Sequence, residues 1–376
     1  MLVPLRDYLC PEDPLSSQLL CATKEHYFTR LSADIYPTAP GFGETRWIVS
    51  EDANVEHLLN VLMSINANSD EVWRACVGFL FLLCWHNPRQ TVLGPKIEAL
   101  PDDHPSKPIC LLRLAQSFNS IGNSMEQKRL LDHTLKLERE WGNDAEVVVV
   151  LCYLSDANRV LGFFKEGISQ VEEALEIYER IGDVGDQGQC LIRLALLLLE
   201  NEQLDAAEEA ASRAIKILPE KGQEYRACGA HRTLGAIYHS KGEQEKAIRH
   251  FETALTIASP FGWNGELFWT HNSLAGLFRD EDDFDNAHLH IQQAKTYAVD
   301  DRYQLGRTII LQAQIYYQQN RPEDSTLEAL RALEIFEGLG AQEYVKVCKD
   351  LLQDIEQATE SRATSGNYVL VVSLWK

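Results

Sequence analysis

LGAIYHSKGEQEKAIRHFETALTIA, residues 234–258, decides the fold. Leu234, Ile237, Tyr238, Ala247, Ile248, Phe251, Ala254 and Leu255 recur at helical spacing on either side of a turn at Gly242. The stretch therefore reads as two helices folded back on each other. Alanine or glycine at the close contact lets the backbones approach, and the bulky residue opposite fills the space beside it. Leucine in place of Ala247 or Ala254 should overpack that contact, at about 1–3 kcal/mol.

The pattern extends in both directions. Leu114-Ala115, Leu154-Ser155, Leu194-Ala195, Leu234-Gly235 and Leu274-Ala275 stand 40 residues apart, and Gln312-Ala313 follows after 38. Four residues beyond each large member come Phe118, Asn158, Leu198, Tyr238, Phe278 and Tyr316. Turns are then expected at Gly122, Gly162, Asn201-Glu202, Gly242, Asp282 and Asn320. Stronger breakers separate one unit from the next: Gly142-Asn143, Gly182-Asp183, Pro219 with Gly222, Pro260 with Gly262, Asp300-Asp301, and Gly338 with Gly340. A fixed period of this size is the mark of a solenoid, in which each unit packs only on its neighbours. The chain is expected to be all-α, with six helix pairs over 105–338.

The repeat resembles the tetratricopeptide repeat through Leu234, Gly235, Tyr238, Ala247, Phe251 and Ala254. Its longer period is similar to the long-helix variety found in kinesin light chains and in the sensor regions of signalling ATPases. The resemblance implies a right-handed superhelical solenoid of antiparallel helix pairs with a period of ~40 residues. It weakens at Gln127 and Thr134 in the first unit and at Ser325 and Ala329 in the last.

Outside the repeats the chain is less regular. Residues 1–50 form an irregular segment, with helical periodicity at 15–31 and a Pro/Gly loop at 36–43. Residues 51–104 read as a helical capping unit, its two helices capped by Ser50 or Asp52 and by Ser69 or Asp70, with a short helix between Lys96 and Leu100. Residues 339–360 give a C-terminal capping helix, and 361–376 an unassigned apolar tail. The run VGFLFLLCW, residues 77–85, is too short to span a membrane and reads as a buried helix.

Composition narrows the partners. There are 56 acidic and 35 basic residues, a net charge of −21, and no basic run, so nucleic acid is not expected to bind. Nine cysteines, an odd number without a CxxC, read as small buried hydrophobes in a reducing compartment. No signal peptide is seen, so the chain is expected to be cytoplasmic and free of membrane.

No enzyme site emerges. GxxxxGK[ST], HExxH and GxSxG are all missing, and Pro95 removes an N–H that GPKIE at Gly94 would need to cradle phosphate. His288 and His290 are two apart and point different ways, whereas His231 and His239 could share a face but lack further ligands. The run Asp280 to Asp283 reads as a helix N-cap with solvated charge. No nucleotide, cofactor or metal is expected.

MLVPLRDYL, SEDANVEHLL, GPKIEALPDDHPSKP and LDAAEEAASRAI resemble the C-terminal half of fungal NLR-like STAND proteins, in which an NB-ARC-type motor and a winged-helix segment precede a tetratricopeptide sensor. That likeness runs from Met1 to about residue 358. It implies that Met1 corresponds to an internal position and that the motor is missing from this chain. It also implies a ligand-sensing, protein-binding module. The alternative is a stand-alone scaffold that bridges cytosolic proteins.

In tetratricopeptide arrays the first helix of each pair lines a concave groove. The groove positions fall here on Gln116, Asn119, Asp156, Arg159, Arg232, His239, Trp269, Asn272, Arg279 and Tyr317. A protein or peptide ligand is expected there, with the arginines offering planar forks for carboxylate or phosphate. Arginines paired with neighbouring acids are the competing reading. Leu112 and Gln116 at the leading clamp positions disfavour a chaperone-tail adaptor.

Overall fold

A computed structural model describes residues 46–65, 69–86, 90–218, 224–298 and 301–365. The expectations for 1–45 and 366–376 lie outside the described residues. Within them the chain forms α-helices and one short 3₁₀ turn, and no strand. Three helices come first: α1 (Arg46–Ile65), α2 (Asp70–His86) and α3 (Gly94–Glu98). Six helix pairs follow, α4 (Lys107–Ser120) with α5 (Ser124–Trp141), α6 (Asp144–Val160) with α7 (Phe164–Ile181), α8 (Val184–Glu200) with α9 (Leu204–Ile217), α10 (Glu224–Ser240) with α11 (Gln244–Ala258), α12 (Asn264–Asp280) with α13 (Phe284–Tyr297), and α14 (Arg302–Gln318) with α15 (Pro322–Leu339). The last described helix is α16 (Gln342–Ser365).

Two expected helix limits are corrected. α1 begins at Arg46, so neither Ser50 nor Asp52 caps it. A serine and an aspartate inside a helix cost only a few tenths of a kcal/mol each, too little to stop it there. α3 begins at Gly94 rather than Lys96, because Pro95 suits the first turn of a helix, where its missing N–H is no loss. The run 77–85 lies within α2, where Phe79, Leu80 and Leu83 are buried.

The turn inside each pair is built the same way. In the fourth repeat Gly242 N–H donates to the His239 carbonyl and Glu243 N–H to that of Tyr238, at 2.9 and 2.8 Å. This closes the helix with a left-handed residue. Gly122, Gly162 and Gly242 hold that residue in three repeats, and Glu202, Asp282 and Asn320, with φ of 60°, 56° and 59°, hold it in the others. Asp283 then caps α13, its Oδ1 accepting from Asn286 N–H at 3.2 Å.

Packing divides the chain into two compact units, 1–182 and 183–376. In the second unit the small-residue stripe is fully buried: Ala207, Ala211 and Ala214 on α9, Ala247 and Ala254 on α11, Ala287 and Ala294 on α13. Phe251 and Ile291 fill equivalent places one period apart. Gly235 is needed under Phe251, because a Cβ there would stand 2.6 Å from the ring.

The departures from the repeat pattern have local answers. The Thr134 hydroxyl donates to the Leu130 carbonyl at 2.8 Å, and the Ser325 hydroxyl to that of Ala313 at 2.8 Å. Gln127 is different: it is buried, and both polar atoms of its side chain lack a hydrogen-bond partner. Cys76, Cys110, Cys152, Cys190, Cys228 and Cys348 are buried free thiols, and burial pushes the Cys228 thiol up to about 12.

Candidate partner-binding surface

The first helices of the repeats carry the residues singled out in the sequence. In the first unit Gln116 accepts from Arg113 of its own helix at 2.8 Å, and Asn119 is exposed. Asp156 and Arg159 lie half-buried on α6. A concavity of this unit lies elsewhere, between the ends of α5, α6 and α7. There Arg139 pairs with Glu173 and Arg180 with Asp144, both at 2.7 Å, so its cations are already matched.

In the second unit the predicted residues are brought together on α10, α12 and α14, joined by side-chain bridges from each first helix to the next. Arg226 reaches back from α10 to Asp186 on α8 at 2.6 Å. Arg232 Nε meets Glu266 Oε2 of α12 at 3.2 Å, and His239 Nε2 meets Asp280 at 3.3 Å. Asn272 donates to the Thr308 hydroxyl of α14 at 3.1 Å. Arg279 donates to Gln314 on α14 at 2.8 Å and also pairs with Asp280 at 2.7 Å. Burial works to raise the Asp280 carboxyl, but His239 and Arg279 outweigh it and hold the group below its ordinary value. Tyr317 instead packs towards the cluster of Ala313, Ala329, Leu351 and Ile355.

Arg232 and Arg279 are thus matched by acids. Reversing Arg232 to glutamate would set a second carboxylate against Glu266, which is 9% exposed at its side chain, so that change would damage the fold as well as the surface.

One arginine of this face escaped the sequence reading. The Arg307 guanidinium lies 4.4 Å from the Trp269 ring centroid and 5.6 Å from that of Tyr344 on α16. Arg307 follows Trp269 by 38 residues, the interval that separates the last two ladder steps, so both occupy one repeat position. That coincidence was the available signal.

The structure also pairs histidines that the sequence left apart. His231 on α10 and His250 on α11 meet Nδ1 to Nδ1 at 3.0 Å, and His271 on α12 and His290 on α13 do the same at 2.9 Å. Ring centroids are 5.3 and 5.2 Å apart, longer than the nitrogen distances by about one ring width, so the imidazoles meet head-on. That arrangement holds one proton, donated by one ring to the lone pair of the other. Burial pushes all four down, His271 to about 4, with the paired histidine adding to the effect on His231 and His271. His239 goes to Asp280 rather than sharing a site with His231, and His288 goes to Gln319 at 3.2 Å. Among the described residues no group of three or more His, Cys, Asp and Glu is placed to hold a metal ion. None of their helices is long and apolar enough to cross a membrane.

Residues 233–260 match the tetratricopeptide repeat family. A curated relative, protein KINESIN LIGHT CHAIN-RELATED 3 of Arabidopsis thaliana, is 24% identical over 219 residues; the match covers 56% of this chain and 34% of that protein. The chain therefore spans about a third of the length of that relative. Among solved structures, a Rap protein complexed with competence and sporulation factor is similar over 92% of this chain and 99% of its own, with a TM-score of 0.56 and 14% identity. A chain of the APC/C hetero-tetramer Cut9–Hcn1 is similar over 93% of this chain and 58% of its own, with a TM-score of 0.45 and 16% identity. The chain carries tetratricopeptide repeats, is similar to a kinesin light chain-like relative, and has an all-α tetratricopeptide-like solenoid fold.

Proposed function

We propose that this chain is a non-enzymatic interaction module that takes a protein or peptide ligand on the face formed by its first helices. The observation that carries this reading is the row of polar and aromatic side chains on α10, α12 and α14. Arg232, His239, Trp269, Asn272, Arg279 and Arg307 are all half-buried there, and every one bridges to the neighbouring first helix. Partly exposed tryptophan and arginine are the side chains that most often anchor protein contacts. The Rap protein, whose fold this chain shares, was crystallised with competence and sporulation factor, which supports a solenoid of this build as a receptor.

The finer reading is a cytoplasmic ligand sensor similar to the sensor region of a fungal NLR-like STAND protein, working without a nucleotide motor in this chain. It rests on MLVPLRDYL, SEDANVEHLL and GPKIEALPDDHPSKP, together with the lack of a glycine–lysine pair for a P-loop. The kinesin light chain-related relative favours a second reading, a scaffold that bridges two proteins at once.

Affinity capture from cytosolic extract, with the wild-type chain beside a Trp269→Ala/Arg279→Glu variant of unchanged circular dichroism, tests the proposal. A partner lost on the variant supports the first-helix face. Partners kept by both move the contact elsewhere. Two proteins held together only by the wild type would select the scaffold over the sensor.

A further inference from the structure

We propose that Arg307 is an anchor for the carboxylate of an aspartate or glutamate side chain within an extended peptide segment. The inference rests on the first-helix face being the ligand surface. It starts from an imbalance. The chain has 56 acidic residues against 35 basic ones, so an arginine without a carboxylate partner is unexpected. Arg226, Arg232 and Arg279, its counterparts on this face, each have one.

Arg307 has aromatic rings instead. Its guanidinium carbon lies over the rings of Trp269 and Tyr344, and ring faces attract a planar cation without using its N–H donors. No hydrogen bond or ion pair among the described residues takes up those donors. Asp301 is the acid that feels the charge of Arg307, but its Oδ1 is committed to Gln304 N–H at 2.9 Å, where it caps α14. Contact with ring faces does not consume the N–H donors, and those donors can meet a carboxylate with two parallel hydrogen bonds.

Charge and position select the ligand. A phosphate brings nearly two negative charges and calls for more than one free cation. The neighbouring arginines of this face are already neutralised, so a single carboxylate fits better. The surface also continues past Arg307: Asn272 and the Arg232–Glu266 pair lie along the helices on one side, and Tyr344 on the other. A segment crossing Arg307 has contacts before and after it, whereas a chain end would leave one side empty. The carboxylate is therefore assigned to a side chain inside the segment.

The test uses an array of random decapeptides, each aspartate- or glutamate-containing member printed beside its asparagine or glutamine counterpart. Every peptide is made with both a free and an amidated C-terminus. The full chain is applied as wild type, as Arg307→Gln and as Arg307→Lys, with thermal melts to confirm that each is folded. The wild type should retain a subset of acidic peptides about tenfold or more above their amide counterparts. Arg307→Gln should lose that preference, and Arg307→Lys should keep part of it, having the charge without the fork. Equal retention of acidic and amide members would overturn the anchor while leaving the peptide-binding reading intact. A preference that survives in Arg307→Gln, or one that follows the free C-terminus alone, would also overturn it. No peptide retained by any form would remove the underlying reading, and the anchor with it.

Discussion

In the fourth repeat Gly235 lies under the ring of Phe251; one period later Ala275 shares a cluster with Ile291. Arg232 forms an ion pair with Glu266 where Asn272 shares a hydrogen bond with Thr308. His239 meets Asp280 where Arg279 meets Gln314. His250 is stacked on Tyr238, and His290 on Phe278. Each position keeps its geometric duty while its chemistry changes. The repeat conserves complementary volumes and a bridge to the next first helix, not particular residues. A match by residue type is therefore strong in some repeats and faint in others that share the same frame.

The largest effect should come from breaking the volume exchange. Gly235→Ala places a methyl against Phe251 and should cost about 2–3 kcal/mol in urea unfolding. Adding Phe251→Ile gives the fourth repeat the pairing of the fifth and should recover most of the loss. No recovery would mean that Gly235 is required for another reason.

The histidine pairs sharpen the comparison through pH. An unfolded imidazole takes its proton near 6.5, while His271 in the fold resists it until about 4. The unfolded state then binds more protons across that window, so stability present at pH 7 is lost as pH falls through it. The two pairs sit among different charges. His250 faces Arg249 on its own helix, which pushes it down, and Glu208 on α9, which draws it up. The charge that weighs on His271 is that of His290, and the rings beside these two are Tyr297 and Phe278. Replacing His271 and His290 together by glutamine should flatten the pH dependence by about 1–2 kcal/mol, a value reduced for partial solvent screening. The same change at His231 and His250 should do less. Urea midpoints measured from pH 7 to pH 4.5 decide it, and equal effects would refute the role given to Glu208.

The smallest effect separates the two bridges. Arg232→Gln leaves Glu266, 9% exposed at its side chain, without its cation and should cost about 1–2 kcal/mol. Arg279→Gln leaves Asp280, 39% exposed and still beside His239, and should cost about 0.5 kcal/mol or less. Thermal melts of the two single variants make the comparison.

Much of this frame is legible in the sequence. The turns at Glu202, Asp282 and Asn320, the cap at Asp283 and the buried alanines follow from period and residue type alone. What was hidden depends on contacts between distant helices. His231 and His250 are 19 residues apart, and only the relative rotation of two packed helices turns one imidazole to face the other. Arg232 and Glu266 are 34 residues apart, so which arginine is neutralised could not be read locally. The register of the last two ladder steps places Arg307 opposite Trp269, but its contacts with the Trp269 and Tyr344 rings depend on how three helices pack and could not be read from spacing.

The bridges between first helices have a mechanical consequence. In the second unit Arg226–Asp186, Arg232–Glu266, His239–Asp280 and Arg279–Gln314 tie successive first helices together, while the alanine stripes of the second helices pack by apolar contact. Salt screens the exposed ion pairs among the first kind of tie, the Arg232–Glu266 pair least, and acts little on the apolar contacts. Such an array has unequal sides, and raised ionic strength should loosen the exposed ties on the side proposed to hold a ligand.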